Sequence, residues 1–293
     1  SFFMHFVQAK GILSARNSVN GMNLYRGCQH GCIYCDSRSK CYHIEHDFED
    51  IEVKENAIEL LEAALSKKRK CCMIGTGAMT DPYTPVEASL CMTQRALEVI
   101  EKHGFGISIQ TKSKLILRDL DLLKRINDKT KAVVQITLTT FDDKLCRIVE
   151  PGVCVTSERF QVLKQMQAAG IPTVVWLCPI LPFINDTPEN INGILDYCEA
   201  AGVRGIINFG MGVTLRDGDR EYFYAALDRH FPGLKAEYIR RYGLAYQLDS
   251  PRAGELRRIF NERCRKASFL VDQDVFRYMN EFEEKVPLQG ELF

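Results

Sequence analysis

Hydrophobic positions recur along this chain in two rhythms. Short runs rich in β-branched or other apolar residues occupy positions 21–25, 71–75, 106–110, 132–138, 173–178 and 205–209. Between them, apolar residues return every three or four positions. The short runs predict strands, and the stretches 55–65, 90–102, 115–126, 157–169 and 188–200 predict helices, three of them closed by Gly104, Gly170 and Gly202. Such alternation predicts successive βα units on a parallel sheet. The expected fold is α/β: a partial (β/α)6 barrel of the TIM-like kind over residues 21–210, after an N-terminal segment 1–20. Beyond 209 the pattern turns to charged and aromatic helical stretches, which predict a C-terminal helical extension over 211–293.

Composition narrows the picture without redirecting it. With 293 residues and 46% apolar content, the chain can bury one large core. Its 38 basic and 38 acidic side chains cancel, so a polyanionic partner would have to meet a local patch rather than the whole molecule. The longest apolar stretch, 171–184, is interrupted by Pro172, Pro179 and Pro182, too short and too broken to span a bilayer, so no membrane partner is expected. The opening SFFMHFVQAK lacks a basic segment followed by a long apolar one, and residues 1–3 read as a remnant ahead of Met4; a cytoplasmic address is expected. Twelve cysteines in such a chain argue for thiols and metal ligands rather than a disulfide framework.

The cysteines change the picture. RGCQHGCIYCDSR sets Cys28, Cys32 and Cys35 at C-x3-C-x2-C, in a glycine-containing loop just after the first predicted strand. Soft thiolates at this density suit iron–sulfur clusters or zinc. Three ligands leave one iron of a cubane open to another molecule, whereas a zinc site would recruit a fourth, for which Cys41 and His43 are the neighbours. The segments after the remaining strands are polar or glycine-rich: GTGAMTDPYTPVE, QTKS, TLTTFDD, PILP and GMG. In α/β barrels these strand ends hold ligands. Gly75 and Gly77 permit close backbone approach, Lys112 suits a ribose or a carboxylate, and Thr137 or Thr139 suits ribose hydroxyls. Each lone lysine or threonine is equally a solvated rim residue. Glu150, Asp186 and His30 read as either functional groups or turn and capping residues.

The motif C-x3-C-x-Tyr34-Cys35, opening about six βα units, resembles the radical S-adenosylmethionine superfamily. The resemblance implies that the three cysteines hold a [4Fe-4S] cluster whose open iron chelates the amino and carboxylate groups of S-adenosyl-L-methionine. Reductive cleavage then yields a 5′-deoxyadenosyl radical. It places Tyr34 near the adenine. A glycine-rich motif after the second strand would contact the methionyl amino group; GTG stands where the family has Gly-Gly-Glu, which moves those roles to Thr76, Thr80 and backbone groups. The resemblance also implies a reductant such as flavodoxin or ferredoxin.

TDPYTPVE, TKS, Arg118-Asp119, Glu150-Pro151-Gly152 and PILPFIND are similar to the branch of that superfamily related to spore photoproduct lyase, which includes proteins called DNA repair photolyases. By analogy this implies a DNA-lesion-like substrate. The lyase's hydrogen-donating cysteine has no counterpart in segment 77–81, so spore photoproduct itself is not expected as substrate. Cys71 and Cys72 read as buried strand residues. Residues 235–266 carry nine basic against four acidic side chains, interleaved with Tyr238, Tyr242, Tyr246 and Phe260, a pattern shared by DNA-binding surfaces and solvated helices. The final Gln289, Gly290, Glu291, Leu292 and Phe293 resemble the peptide by which bacterial repair proteins bind the sliding clamp. A peptide or small-metabolite substrate, or a zinc-stabilised nucleic-acid-binding protein without catalysis, are the alternatives.

Overall fold

The computed structural model describes residues 3–16 and 19–285. Its central element is an eight-stranded sheet: β1 (Leu13–Arg16), β2 (Val19–Met22), β3 (Met73–Thr76), β4 (Gly106–Thr111), β5 (Ala132–Thr137), β6 (Thr173–Trp176), β7 (Gly205–Ile207) and β8 (Leu270–Val271). The strands lie side by side in that order. β1 is antiparallel to β2, and every later neighbour is parallel. The six expected strands are β2 to β7, and the sheet stays open, as a partial barrel requires. Helices α1 (Ala57–Lys67), α2 (Met92–Lys102), α3 (Leu120–Lys129), α4 (Asp143–Val149), α5 (Thr156–Ala168) and α6 (Pro188–Ala201) fall between them.

Side-chain alternation explains which face does what. In β4, Ile107 and Ile109 enter the main core with Leu97, Ile100 and Leu123 of the flanking helices, while Ser108 and Gln110 point to the concave face. In β5, Ala132, Val134 and Ile136 face the helices and Gln135 the concavity. The sheet thus presents an apolar back, and a front on which uncharged polar side chains lie beside an apolar cluster of Met73, Val133, Val174 and Ile207 with Val275 and Met279. At α6 the local signals act together. Thr187 accepts a hydrogen bond from the Asn190 amide at 3.1 Å, Pro188 opens the helix, and Gly202 closes it at φ 60°.

Two expected helices start differently. Cys91, at φ 53°, separates a short turn, Glu87–Leu90, from α2, and the Glu87 carboxylate accepts the Thr93 amide at 2.7 Å. The expected helix at 115–126 is a 3₁₀ segment, Lys114–Asp119, followed by α3. Cys71 is exposed ahead of β3 and Cys72 half-buried, because that strand begins two residues later than the apolar run suggested.

Past β7 the chain forms a two-stranded ribbon, Gly212–Thr214 with Gln247–Asp249, and helices α7 (Asp219–His230), α8 (Leu234–Tyr242), α9 (Ala253–Ala267) and α10 (Gln273–Asn280). β8, between α9 and α10, returns to pair with β7. A second core joins Ile33 and Tyr34 of the cysteine loop to Leu215, Phe223, Leu227 and Tyr238, so α7 and α8 pack over that loop. A small separate sheet pairs Ile51–Lys54 with Met4–Val7 and Tyr25–Arg26. Among the described residues no helix is long and apolar enough to cross a membrane.

Candidate active site

Cys28, Cys32 and Cys35 converge on one cavity at the C-terminal edge of the sheet, where Gly77, Thr80, Asp81, Thr111, Lys112 and Thr137 complete much of its wall. Backbone constraints set the loop. Gly27 and Gly31 have φ of 89° and 70°, and a Cβ on Gly27 would lie 2.3 Å from the Phe48 carbonyl oxygen. That carbonyl accepts the Cys28 amide at 3.1 Å, the Val149 carbonyl accepts the Ile33 amide at 3.0 Å, and the His30 carbonyl accepts the Gly152 amide at 2.6 Å. The loop is held from three sides.

Asp81 ties this loop to the sheet. One carboxylate oxygen accepts the Thr111 hydroxyl at 2.6 Å and the Tyr83 amide at 2.8 Å; the other accepts the Lys112 amide at 2.9 Å and faces His30 Nε2 at 2.8 Å. Burial would raise its pKa, but His30 and these donors outweigh it and hold the carboxyl at about 2. Thr80 donates to the Gly27 carbonyl at 2.5 Å, a second link between the loops. Sequence reasoning missed Asp81: a lone aspartate in a polar loop carries no periodic signal, and its partners lie 30 and 51 positions away.

Beneath the loop, Arg159 and Glu150 form a fully buried ion pair at 3.0 Å. Arg159 also donates to the carbonyls of Thr137 and Cys154, each at 2.9 Å. The Tyr34 hydroxyl donates to Glu150, so its buried ring stands against this pair, with Lys112 Nζ 5.9 Å from the ring centroid. Glu150 therefore holds Tyr34 and Arg159. Asp186 accepts the Ser250 hydroxyl at 2.5 Å.

The other residues singled out in the sequence divide between two places. Gly77, Thr80, Lys112 and Thr137 line the cysteine cavity. A Cβ on Gly77, at φ 108°, would lie 2.2 Å from the Gln110 carbonyl oxygen, so only glycine fits. Gly75 and Thr76 line an adjoining cleft of about 540 Å³ on the concave face, with Ser108, Gln110, Gln135, Trp176 and Phe276. The two spaces share Ala78, Met79 and Gln110. Thr139 is fully buried outside both, its hydroxyl 3.1 Å from that of Thr140. Cys41 and His43 do not line the cysteine cavity; Cys41 is exposed. The cavity also receives Arg38, which sequence reasoning missed, its guanidinium 3.6 Å from the Tyr222 ring centroid and 4.5 Å from that of Phe48.

The donor set fits a cluster. All three thiols are free, and burial, with Asp81 next in importance, pushes the Cys28 thiol up to about 12. Burial raises Cys32 further. Bare thiolates are therefore disfavoured here, and a metal that replaces their protons is what would stabilise the deprotonated sulfurs. Burial would lower Lys112, but Cys32, Glu150 and Asp81 raise it on balance, so it stays cationic beside them.

Of the nine basic residues in 235–266, five are ion-paired: Lys235 with Asp228, Arg240 with Glu237, Arg252 with Glu255, Arg263 with Asp196 and Glu199, and Lys266 with Glu262. Tyr238 and Phe260 are buried in the two cores and cannot stack on a ligand. Residues 289–293 lie outside the described residues.

Residues 22–191 match the radical SAM superfamily. An uncharacterised protein of Mycobacterium tuberculosis (strain H37Rv) is 31% identical over 238 residues, 78% of this chain and 68% of that one. An uncharacterised protein of Methanocaldococcus jannaschii is 32% identical over 167 residues, 56% of this chain and 61% of that one. Among solved structures, a spore photoproduct lyase variant with bound AdoMet and dinucleoside spore photoproduct superposes with a TM-score of 0.64 at 14% identity, covering 90% of this chain and 79% of that one. The chain belongs to the radical SAM superfamily. It is an enzyme whose cofactors are S-adenosylmethionine and a [4Fe-4S] cluster, and it shares its fold with spore photoproduct lyase.

Proposed function

We propose that Cys28, Cys32 and Cys35 are the cluster ligands, that S-adenosylmethionine lies against Gly77, Thr80, Lys112 and Thr137, and that the enzyme acts on a DNA-lesion-like substrate other than spore photoproduct. The observation that carries this reading is the junction of two spaces. The cysteine cavity shares Ala78, Met79 and Gln110 with a cleft whose lining is uncharged: Ser108, Gln110 and Gln135 supply hydroxyl and amide groups, and Trp176 and Phe276, edge to face with each other, supply aromatic surface. Amides, hydroxyls and aromatic faces are the groups that recognise a nucleobase taken out of its stack. Held by Cys28, Cys32 and Cys35 in the neighbouring cavity, the cluster with S-adenosylmethionine would supply one-electron, radical-initiating chemistry to that cleft.

The chain's own residues shape that chemistry. Asp81 and Thr80 fix the cysteine loop against the strand ends, and Lys112 offsets the negative charge that three thiolates bring. Exposed Phe141, Phe183 and Phe209 stand on loops that leave β5, β6 and β7. Arg257 lies beside Gly210, where an added Cβ would be 3.5 Å from its guanidinium. Arg257 and Arg258 are exposed and have no ion pair among the described residues, and they supply phosphate contacts near the cleft. The electron donor is a flavodoxin or ferredoxin, and residues 289–293 dock on a sliding clamp.

The test is 5′-deoxyadenosine formation by the anaerobically reconstituted, reduced protein, with and without ultraviolet-damaged DNA, and with Cys32→Ala as control. Product that needs Cys32 and rises with damaged DNA supports both parts of the reading. Product that needs Cys32 but ignores DNA removes the nucleic-acid substrate. A companion variant, Arg257→Ala/Arg258→Ala, weakens salt-sensitive DNA binding and leaves cofactor cleavage without DNA unchanged.

A further inference from the structure

Outside the cysteine cavity, His5, His46 and Asp50 bring three donor atoms within 4.8 Å of one another. His5 comes from the strand Met4–Val7, Asp50 immediately precedes the strand Ile51–Lys54, and His46 comes from the loop before it. The two strands are parallel neighbours, with His5 level with Glu52, so the sheet itself brings the first histidine beside the aspartate.

Each histidine turns one shielded nitrogen toward this group of donors. His46 Nδ1 is 2.9 Å from the Asp47 carbonyl oxygen, an arrangement that fixes the proton on Nδ1 and leaves the lone pair on Nε2. That Nε2 is shielded from solvent and has no hydrogen-bond partner. In His5, Nδ1 is shielded, lies 3.1 Å from Asp50 Oδ1 and makes no hydrogen bond of good geometry, while Nε2 faces Glu52 at 3.9 Å, beyond hydrogen-bond reach. The imidazoles meet edge to face with centroids 4.7 Å apart. Two shielded ring nitrogens without a hydrogen bond, one of the rings held from behind by a carbonyl oxygen, beside one carboxylate, make up a donor set that a metal ion can use.

We infer that His5, His46 and Asp50 form a binding site for a divalent cation of the zinc class, with water completing the shell, that staples the N-terminal strand to the loop supporting Cys28. Two imidazoles and a carboxylate suit zinc and its neighbours rather than calcium or magnesium. Closing the set onto one ion needs the donors to draw in from their present spacing, within the reach of side-chain rotation. The consequence for the active site is direct. The loop between His46 and Asp50 contains Phe48, whose carbonyl accepts the Cys28 amide at 3.1 Å, and Gln29 Nε2 donates to the carbonyls of Phe3 and Glu49 at 3.3 and 3.1 Å. A cation would rigidify the backbone on which the first cysteine hangs.

The inference is tested on cluster-loaded protein prepared anaerobically, with zinc chloride as probe in calorimetric titration and melting temperature as a second readout. One zinc per chain should bind, raising the melting temperature. His46→Ala and Asp50→Asn should each weaken binding by more than about tenfold and abolish the thermal shift. Zinc titrated into the Cys28→Ser/Cys32→Ser/Cys35→Ser variant separates this site from the cluster site: binding should persist there. If that variant does not fold, the cluster-loaded comparison alone decides. Zinc that fails to bind the cluster-loaded protein, or binds equally well to His46→Ala, overturns the inference, and neither result bears on the assignment of the cluster ligands.

Discussion

Replacing Glu150 with glutamine probes the polar layer beneath the cysteine loop. Glu150→Gln keeps the shape and a hydrogen-bond acceptor for Tyr34 but removes the charge opposite Arg159. Both partners are fully buried, and no other carboxylate is paired with Arg159 among the described residues. A buried guanidinium left without its counter-charge costs about 3–5 kcal/mol. At roughly 2 °C per kcal/mol for a chain of this size, the melting temperature should fall by roughly 6–10 °C. The assay is thermal unfolding by far-ultraviolet circular dichroism, with both proteins cluster-free so that metal loss does not distort the transition. Glu150→Gln/Arg159→Met should recover part of the loss, because removing the guanidinium removes the uncompensated buried charge, although the Thr137 and Cys154 carbonyls lose their donor. A fall of less than about 2 °C for the single variant, on the same scale, would refute the reasoning: Arg159 would then have solvent or another partner.

Three further outcomes follow from the site. Asp81, held at about 2 against an ordinary 3.8, contributes about 2 kcal/mol at neutral pH; that stability is lost as the pH falls from about 4 through about 2, and the cluster-free Asp81→Asn variant should lack this acid-dependent step in its unfolding profile. Gly77→Ala should destabilise by about 1–3 kcal/mol and impair S-adenosylmethionine binding, since its Cβ would press on the Gln110 carbonyl at a strained positive φ; unchanged calorimetric affinity would contradict this. Lys112→Met should raise the KM for S-adenosylmethionine by about tenfold, measured per cluster-loaded chain, the loss of one charge-assisted contact; an unchanged KM would remove Lys112 from the cofactor's surroundings.

What was legible in the sequence follows from the range of each signal. Ala132–Thr137 and Gly106–Thr111 announced themselves because parallel strands, buried on both faces, need dense β-branched runs. Leu13–Arg16 and the two-residue Leu270–Val271 have no such run and were invisible. The helix expected at 115–126 contained a break that periodicity does not encode: Asp119 accepts hydrogen bonds from Tyr83 at 2.8 Å, Gln94 at 2.8 Å and Arg118. At the site, the cysteine spacing and the glycines at strand ends could be read because they are local. Asp81, Arg38 and the histidine pair could not, because each acquires its meaning from residues brought in by the fold. Thr139 shows the converse: a threonine just past a strand end looks available from sequence, yet its side chain turns into the buried layer formed with Thr140.

The last strand has a consequence for the order of assembly. β8 pairs Leu270 with Gly205 and Val271 with Ile206, and Asp272 beyond it accepts the amides of Asn208 at 2.7 Å and Phe209 at 3.1 Å. Every cysteine of the cavity and every strand from β1 to β7 precedes this contact by more than sixty positions. As the chain leaves the ribosome, the catalytic half can therefore collapse while the hydrogen-bonding groups of β7 still face outward, and an uncovered apolar strand is where neighbouring nascent chains associate. The C-terminal segment acts as a guard on that margin, and the time between synthesis of Ile207 and Leu270 is the interval in which a chaperone has most to gain from holding the chain.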